Sequence, residues 1–170
     1  MALRHEYRQG DITKAIVDIL NSSWPEQLKK HILVKELLWN IDYPRAVSRS
    51  YLLEPPSFSI KAKKEWEQNT KNGINPRSGL IFEHAIPRAL LCDMLFNVKD
   101  INYTSIREVQ EKYIKRAFIT EQENYALDSL GLRSKMPDDW DSIDVWARHK
   151  KAKIKHAPAL PISFTPELMK

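Results

Sequence analysis

Cysteine and glycine are both scarce in this chain of 170 residues, which contains one cysteine and four glycines. A single cysteine excludes an internal disulfide and a zinc site built from several thiolates. Tight turns in all-β proteins commonly use glycine, so its scarcity favours a mainly helical fold. The sequence also lacks glycine-rich phosphate loops, dinucleotide fingerprints and serine-nucleophile elbows. Their absence disfavours nucleotide-dependent and acyl-transfer enzymes.

Long hydrophobic runs are missing as well. No stretch approaches the length that spans a bilayer, and the N-terminal sequence lacks the unbroken apolar core of a signal peptide. We therefore expect a cytoplasmic protein with no membrane partner. With 42% hydrophobic and 29% charged residues, the composition is that of a globular protein, and the length suits a single domain over residues 1–170.

Apolar spacing and turn residues divide the chain into three regions. Residues 1–72 form a predicted helical region, residues 79–137 a central core, and residues 138–170 a basic segment that contains prolines. Inside the core, the apolar run of residues 79–86 is ambiguous between a strand and a buried helix. The run of residues 116–119 fits a short strand.

A helix is predicted directly after this second run. Thr120 and Glu123 form the capping-box pattern that begins a helix, and Gly131 is placed to end it. The predicted fold class is therefore mainly α within α+β, a helical domain in which a strand at residues 79–86 would complete a small two-stranded element.

Among the histidines, His84 has the most informative context, because it follows Glu83 at the end of an apolar stretch and precedes Pro87 by three residues. At a strand end, a carboxylate can hold a divalent cation while the adjacent histidine, on the other face, activates water. Neutral imidazole is a suitable general base near pH 7. The alternative is structural: a charge in the first turn of a helix beside a hydrogen-bonded core histidine. A surface or packing role is expected for His5, His31, His149 and His156.

Two segments resemble the halves of the HNH, or ββα-metal, endonuclease motif. The first half, an acidic residue and a histidine followed by a proline, is similar to FEHAIPRALL. The second half, a strand that leads into a helix carrying an asparagine, is similar to FITEQENYALDSLGLRSKMP. The resemblance covers about residues 79–137, and it implies a ββα element and a nuclease that acts on DNA, with RNA as the alternative.

The residue roles come from this resemblance alone. It implies that Glu83 is a catalytic metal ligand and that His84 is the general base that activates the attacking water. Asn124 would support the catalytic loop or ligate the metal. Asp128, one helical turn later, would supply a further ligand, with Glu123 as a second candidate. Such ligands suit Mg²⁺ or Mn²⁺.

Basic residues are concentrated toward the C-terminal end. The net charge of +5 favours a polyanionic partner, because lysine and arginine neutralise phosphates and release counterions. The aspartates at 138–144 are expected to lie at a helix N-terminus or to pair with the basic run of residues 148–156. A solvated lysine face is the alternative to nucleic-acid binding. The predicted nucleic-acid contacts are Arg133, Lys135, Arg148, Lys150, Lys151 and Lys153.

The leading interpretation is a metal-dependent endonuclease that hydrolyses phosphodiester bonds in nucleic acid. A second is a non-catalytic helical module that binds nucleic acid or protein through the same basic surface. A third is a small adaptor or immunity-type protein whose positive charge matches an acidic partner. If Glu83, His84 and Asn124 met in one exposed cleft, the nuclease would be favoured; scattered or buried side chains would favour a binding module.

Overall fold

A computed structural model describes residues 9–38 and 57–157 of the chain. The chain divides into two compact units. Of the described residues, 9–38 and 88–114 belong to the first unit, and 57–87 and 115–157 to the second. The single domain expected over residues 1–170 stays a prediction. No helix within these described ranges is both long enough and apolar enough to cross a membrane.

Helices account for most of the regular structure in the described residues, as the sequence predicted. In chain order they are α1 (Gln9–Asn21), α2 (Glu26–Ile32) continuing into a short π-helix (Leu33–Leu37), α3 (Ile60–Lys71), α4 (Arg88–Phe96), α5 (Tyr103–Tyr113), α6 (Glu121–Ser129) and α7 (Ala147–Lys151). The strands are β1 (Ser57–Phe58), β2 (Leu80–His84) and β3 (Arg116–Thr120). The predicted fold class, mainly α within α+β, is confirmed.

The first unit is built from α1, α2, α4 and α5. Along α1, Ile12, Ile16 and Leu20 recur every four residues, so they share one face of the helix, and all three are buried. A buried hydrogen bond joins α1 to α5, with Thr13 Oγ1 donating to Gln110 Oε1 at 2.7 Å. Because each buried polar group finds a partner in the other, this contact avoids the cost of an unsatisfied group.

Cys92 lies on the buried side of α4, between Leu91 and Leu95 in the packed interior of the first unit. Burial raises the pKa of its thiol to about 11, so the reactive thiolate is scarce near pH 7. Cys92 is therefore a buried free thiol with low reactivity.

A three-stranded sheet organises the second unit, with β3 in the centre. β2 pairs antiparallel with β3, and the register runs from Leu80 opposite Thr120 to His84 opposite Arg116. β1 pairs parallel with the other edge of β3, where Phe58 lies opposite Phe118. The ambiguous run of residues 79–86 thus contains a strand, and the strand expected at 116–119 is confirmed.

The third strand corrects the sequence analysis, which predicted a two-stranded element and only a helical region over residues 1–72. β1 is only two residues long, and it pairs with a strand far along the chain. Strand prediction depends on alternation over four or more residues, so a strand of this length gives no local signal.

Side chains alternate between the two faces of the sheet, as the geometry of a strand requires. On one face, Phe118 packs with Phe58 and Phe82 and with Ala62 and Trp66 of α3. On the other face, the cluster consists of Ala117, Ile119, Leu127, Leu132 and Ile154, with Ile81, Trp146 and Ala152 against it. The central strand is consequently buried along its whole length.

The start and the end of α6 follow the predicted local signals. Thr120 Oγ1 accepts a hydrogen bond from the Glu123 N–H, and the Glu123 carboxylate accepts one from the Thr120 N–H, which completes the capping box. Gly131 has a positive φ of 68°, a conformation that costs glycine little. The helix that follows β3 is therefore fixed at both ends by short-range contacts.

Candidate functional site

The candidate site lies at the end of β2, where Glu83 and His84 are the last two residues of the strand. Their side chains lie on opposite faces of the sheet, because consecutive strand residues alternate. Glu83 belongs to the face covered by α6, and its side chain is 21% exposed. His84 belongs to the aromatic face, where its ring lies 6.4 Å from the ring of Phe82, and it is buried.

Arg148 of α7 is fully buried and forms an ion pair with Glu83, in which Nη2 donates to Glu83 Oε1. Nη2 also donates to the carbonyl of His84, and Nε donates to the carbonyl of Ala85 at 2.9 Å. Nη1 donates to the carbonyls of Leu132 and Arg133, at 2.9 and 3.1 Å. A guanidinium has five N–H donors, so every donor of Arg148 has an acceptor inside the second unit.

This arrangement conflicts with the prediction that Arg148 contacts nucleic acid. Because all of its donors are engaged in the interior, Arg148 has none left for a phosphate. Its role is to join the end of β2 to residues 132–133. Removing either member of a buried ion pair leaves the other charge uncompensated, which strongly destabilises a fold.

Asp128 lies on α6, the helix that covers the face of the sheet to which Glu83 belongs. Its neighbour Leu127 packs in the cluster that contains Ala117, and Ala117 lies opposite Glu83 in the sheet. Asp128 Oδ2 is 3.5 Å from Nη1 of Arg133, whereas Asp128 Oδ1 is buried and has no hydrogen-bond partner. Asn124, half-buried, lies one turn earlier on α6.

The carboxylates of Glu83 and Asp128 are of the type that a hard divalent cation binds. Asp128 Oδ1 is a buried anionic oxygen without a partner, and Arg148 holds only one of the two carboxylate oxygens of Glu83. Mg²⁺ sites in enzymes commonly use one or two carboxylates, with water and substrate phosphate completing the coordination. In the described part of the chain, no three His, Cys, Asp or Glu side chains are grouped for metal binding.

The alternative third ligand, Glu123, is buried and already engaged. Its Oε2 accepts hydrogen bonds from Ser59 Oγ at 2.5 Å and from the Thr120 N–H at 3.0 Å. These contacts tie the start of α6 to β3 and to the N-cap residue of α3. Glu123 therefore has a structural role, and Asp128 is the better candidate on α6.

The remaining predicted nucleic-acid contacts lie on the surface of the second unit. Arg133, Lys135, Lys150, Lys151 and Lys153 are all exposed. Lys135 pairs with Asp138 at 3.3 Å, and Lys150 pairs with Asp144 at 2.8 Å. Within residues 9–38 and 57–157, neither Lys151 nor Lys153 has an ion-pair partner.

The aspartates that precede α7 are used in turns and in ion pairs. Asp141 Oδ1 accepts hydrogen bonds from the backbone N–H groups of Ile143 and Asp144, and these bonds lower the pKa of its carboxyl. Asp144 Oδ1 accepts from the Trp146 N–H, while its Oδ2 pairs with Lys150. These acids were expected to lie at a helix N-terminus or to pair with the basic run, and the second alternative is confirmed for Asp144.

Sequence reasoning missed a hydrogen-bonded chain through two histidines of the second unit. His149 is fully buried, and its Nδ1 is 3.1 Å from Nε2 of His156. His156 Nδ1 is 3.3 Å from Oγ of Ser57, and that hydroxyl donates to the Arg116 carbonyl. In the consistent arrangement, each histidine donates from Nδ1, His149 to His156 and His156 to Ser57. The lysines around both histidines gave the sequence the appearance of a solvated face.

Both imidazoles of this chain are neutral near pH 7. Burial, together with the positive charge of Arg148, lowers the pKa of His149 to about 3. Burial also lowers the pKa of His156, against the smaller opposing effect of the Glu123 carboxylate. A neutral pair can share one hydrogen bond, whereas a protonated imidazole in the same place would carry an uncompensated charge.

Comparison of the chain with protein-family models found no match, and comparisons with curated proteins and with solved structures found none either.

Proposed function

We propose that this chain is a metal-dependent endonuclease that hydrolyses phosphodiester bonds in nucleic acid, with DNA as the substrate. The observation that carries the proposal is the ββα arrangement of β2, β3 and α6. Two antiparallel strands bring Glu83 and His84 to one end of the sheet, and Asp128 lies on the helix that covers the face to which Glu83 belongs. The DNA partner and the cytoplasmic location rest on the sequence alone.

In this proposal, Glu83 and Asp128 would hold a Mg²⁺ or Mn²⁺ ion through the carboxylate oxygens that Arg148 and Arg133 do not contact. Asn124 would add an amide oxygen. The ion, when bound, would polarise the phosphoryl group and neutralise charge on the leaving oxygen. The role of His84 as the base that would accept the proton of the attacking water rests on the resemblance alone, because its side chain is buried on the face of the sheet opposite Glu83.

The basic residues would hold the substrate strand rather than take part in bond cleavage. Lys151 and Lys153 are exposed cations without ion-pair partners among the described residues, so their amines can meet phosphates at little cost. Arg133 and Lys135 lie on the segment that follows α6 and would contact the strand near Asp128. Lys150 would contribute less, because Asp144 already neutralises it.

A plasmid-cleavage assay with the full chain tests the proposal. Supercoiled DNA should be nicked in the presence of Mg²⁺ or Mn²⁺ and should remain intact with EDTA. His84→Ala should lower the cleavage rate by about 10²–10⁴-fold, the usual contribution of a general base, while binding the same DNA. Cleavage at the parent rate by His84→Ala would exclude His84 as the base.

The second candidate function is a non-catalytic module that binds nucleic acid through the same lysines. It is favoured by the ion pair between Glu83 and Arg148, because a carboxylate held by a buried arginine is already neutralised. It is favoured also by the burial of His84 on the opposite face of the sheet, because Glu83 and His84 then do not meet in one exposed cleft. The plasmid assay separates the two functions. If the chain binds DNA but cleaves it neither with Mg²⁺ nor with Mn²⁺, the result supports the binding module and contradicts the endonuclease.

A further inference from the structure

Exposed lysines and inward-facing side chains are interleaved in the segment of residues 149–156, which we call the lysine segment. His149 and Ile154 are buried, and His156 is half-buried. The lysines between them, at positions 150, 151, 153 and 155, are all exposed. The inward-facing residues therefore fix the conformation in which these four ammonium groups face the solvent.

Backbone hydrogen bonds attach the end of the lysine segment to the residues of β1 and the start of α3. The carbonyl of Lys155 accepts a hydrogen bond from the Ile60 N–H at 2.8 Å, and the Ala157 N–H donates to the carbonyl of Phe58 at 2.8 Å. Lys153 has a φ of 57°, a left-handed conformation that residues with a side chain rarely adopt. Such a conformation persists only where the surrounding contacts hold it.

The side chain of His156 completes this attachment. Its Nδ1 is 3.3 Å from Ser57 Oγ, and its Nε2 is 3.1 Å from His149 Nδ1. The rings of the two histidines are stacked with an angle of 16° between their planes, and the ring of Trp146 lies 4.0 Å from that of His156. One imidazole thus connects β1 to α7.

Neither imidazole can take up a second proton without disturbing these hydrogen bonds. On His149, the second proton would lie on Nε2, which is buried and has no hydrogen-bond partner among the residues that the structure describes. On His156, it would lie on Nε2 and would face the Nδ1–H of His149. Burial, the charge of Arg148 and the neighbouring His156 lower the pKa of His149. Burial also lowers the pKa of His156, against the opposing effect of the Glu123 carboxylate.

We propose that the His149–His156 pair is a pH-sensitive contact that holds the lysine segment in its nucleic-acid-binding conformation, so that acidification opens the segment and weakens binding. The inference rests on the proposed contact between these lysines and nucleic acid, which the two candidate functions share, and it requires no metal ion. An opened segment has to be ordered again on binding, and ordering each residue costs conformational entropy. The apparent affinity therefore falls with the fraction of molecules in which the segment is closed.

The direction of the pH effect separates this regulation from simple charge attraction. Histidines exposed at the interface would gain positive charge on acidification and would bind phosphates more tightly. In the closed segment the histidines have the lower pKa, so the closed state is favoured above pH 6.5 and is lost as the pH falls below it. For one imidazole with an ordinary pKa near 6.5 in the opened segment, the opening equilibrium shifts by about 30-fold between pH 7.5 and pH 5.

The experiment titrates a fluorescently labelled DNA duplex with the full chain at pH 7.5 and at pH 5, with EDTA and at constant ionic strength. The parent chain should bind more weakly at pH 5, by up to about 30-fold for each imidazole that the opening exposes. In His156→Gln, an amide replaces the hydrogen-bonding groups of the ring without titrating, so this variant should lose less affinity between the two pH values.

The matched control is His31→Gln, which replaces an exposed histidine of the first unit. This control should keep the pH dependence of the parent chain. Far-ultraviolet circular dichroism checks that each chain is folded at both pH values.

A second measurement needs no variant and covers the case in which His156→Gln does not fold. The N–H groups of Ile154 and Ala157 donate to the carbonyls of His149 and Phe58, so their hydrogen exchange reports the opening of the lysine segment. After correction for the intrinsic exchange rates, the opening constant should rise by at least about 30-fold from pH 7.5 to pH 5. An opening constant that does not change with pH would overturn the proposal.

The outcomes distinguish this regulation from the proposed function. If the parent chain binds DNA at pH 7.5 and binds it as tightly or more tightly at pH 5, the histidine pair does not regulate binding, although the nucleic-acid interface stands. If the parent chain binds no DNA at either pH, both candidate functions fail and the regulation fails with them.

Discussion

Acidification should destabilise the fold through His149, and the size of the effect follows from its burial. The unfolded chain exposes an ordinary imidazole with a pKa near 6.5, whereas burial and the charge of Arg148 lower the pKa to about 3 in the folded chain. Because the folded-state pKa is the lower one, the stabilisation is complete above pH 6.5. It is lost as the pH falls below 6.5, where only the unfolded chain takes up the proton.

Between pH 7.5 and pH 5, this linkage predicts that the free energy of unfolding falls by about 2 kcal/mol from His149 alone. The value depends little on the folded-state pKa, because pH 5 lies well above it. His156 should add to the decrease, since burial lowers its pKa as well. For each pH unit that lies between the folded-state and the unfolded-state pKa, the free energy of unfolding changes by about 1.4 kcal/mol.

Urea unfolding at pH 7.5 and at pH 5 measures the effect. His149→Gln removes the titrating group, so its pH-dependent decrease in stability should be smaller than that of the parent by about 2 kcal/mol. In the parent, the ring-proton shifts of His149 should stay constant over the same range. An unfolding free energy that does not change with pH, or a His149 signal that titrates near pH 6.5, would refute this account of the buried pair.

Two further predictions concern a helix cap and the basic surface. Thr120→Ala removes the hydroxyl that accepts a hydrogen bond from the Glu123 N–H. This variant should therefore lower the free energy of unfolding, measured by urea titration, by about 1 kcal/mol. An unchanged free energy of unfolding would show that the cap contributes nothing. Replacing Lys150, Lys151 and Lys153 with Gln should reduce the slope of log affinity against log salt by about 0.9 for each phosphate that the variant no longer neutralises, measured by DNA titration. An unchanged slope would place these lysines outside the interface with DNA. The control variant replaces three exposed lysines of α3 with Gln, namely Lys61, Lys64 and Lys71.

The parts of the fold that the sequence predicted are those with local causes. The capping box at Thr120, the end of α6 at Gly131 and the strand at β3 each depend on a few neighbouring residues. β2 stayed ambiguous because a short apolar run suits a strand and a buried helix equally, and only pairing with β3 decides between them.

The contacts of the candidate site could not be predicted from the sequence. Glu83 and His84 mark a strand end, as expected, yet the partner of Glu83 is Arg148, which stands in a run of lysines and has no local sign of burial. The burial of His149 also has no local sign in the sequence, because this residue stands in the same run of lysines. Both residues are buried on α7 while Lys150 and Lys151 are exposed, and only the packing of the sheet reveals which side of this short helix faces inward.

The central claim is that Glu83 and Asp128 share one divalent cation at the end of the sheet. A crystal of the full chain grown with Mn²⁺, measured at a wavelength where manganese scatters anomalously, tests it most directly. The account predicts one anomalous peak within coordination distance of Glu83 Oε2 and Asp128 Oδ1, with Arg148 still bound to Glu83 Oε1. A well-ordered site without a peak there, or with the manganese bound elsewhere, would contradict the claim.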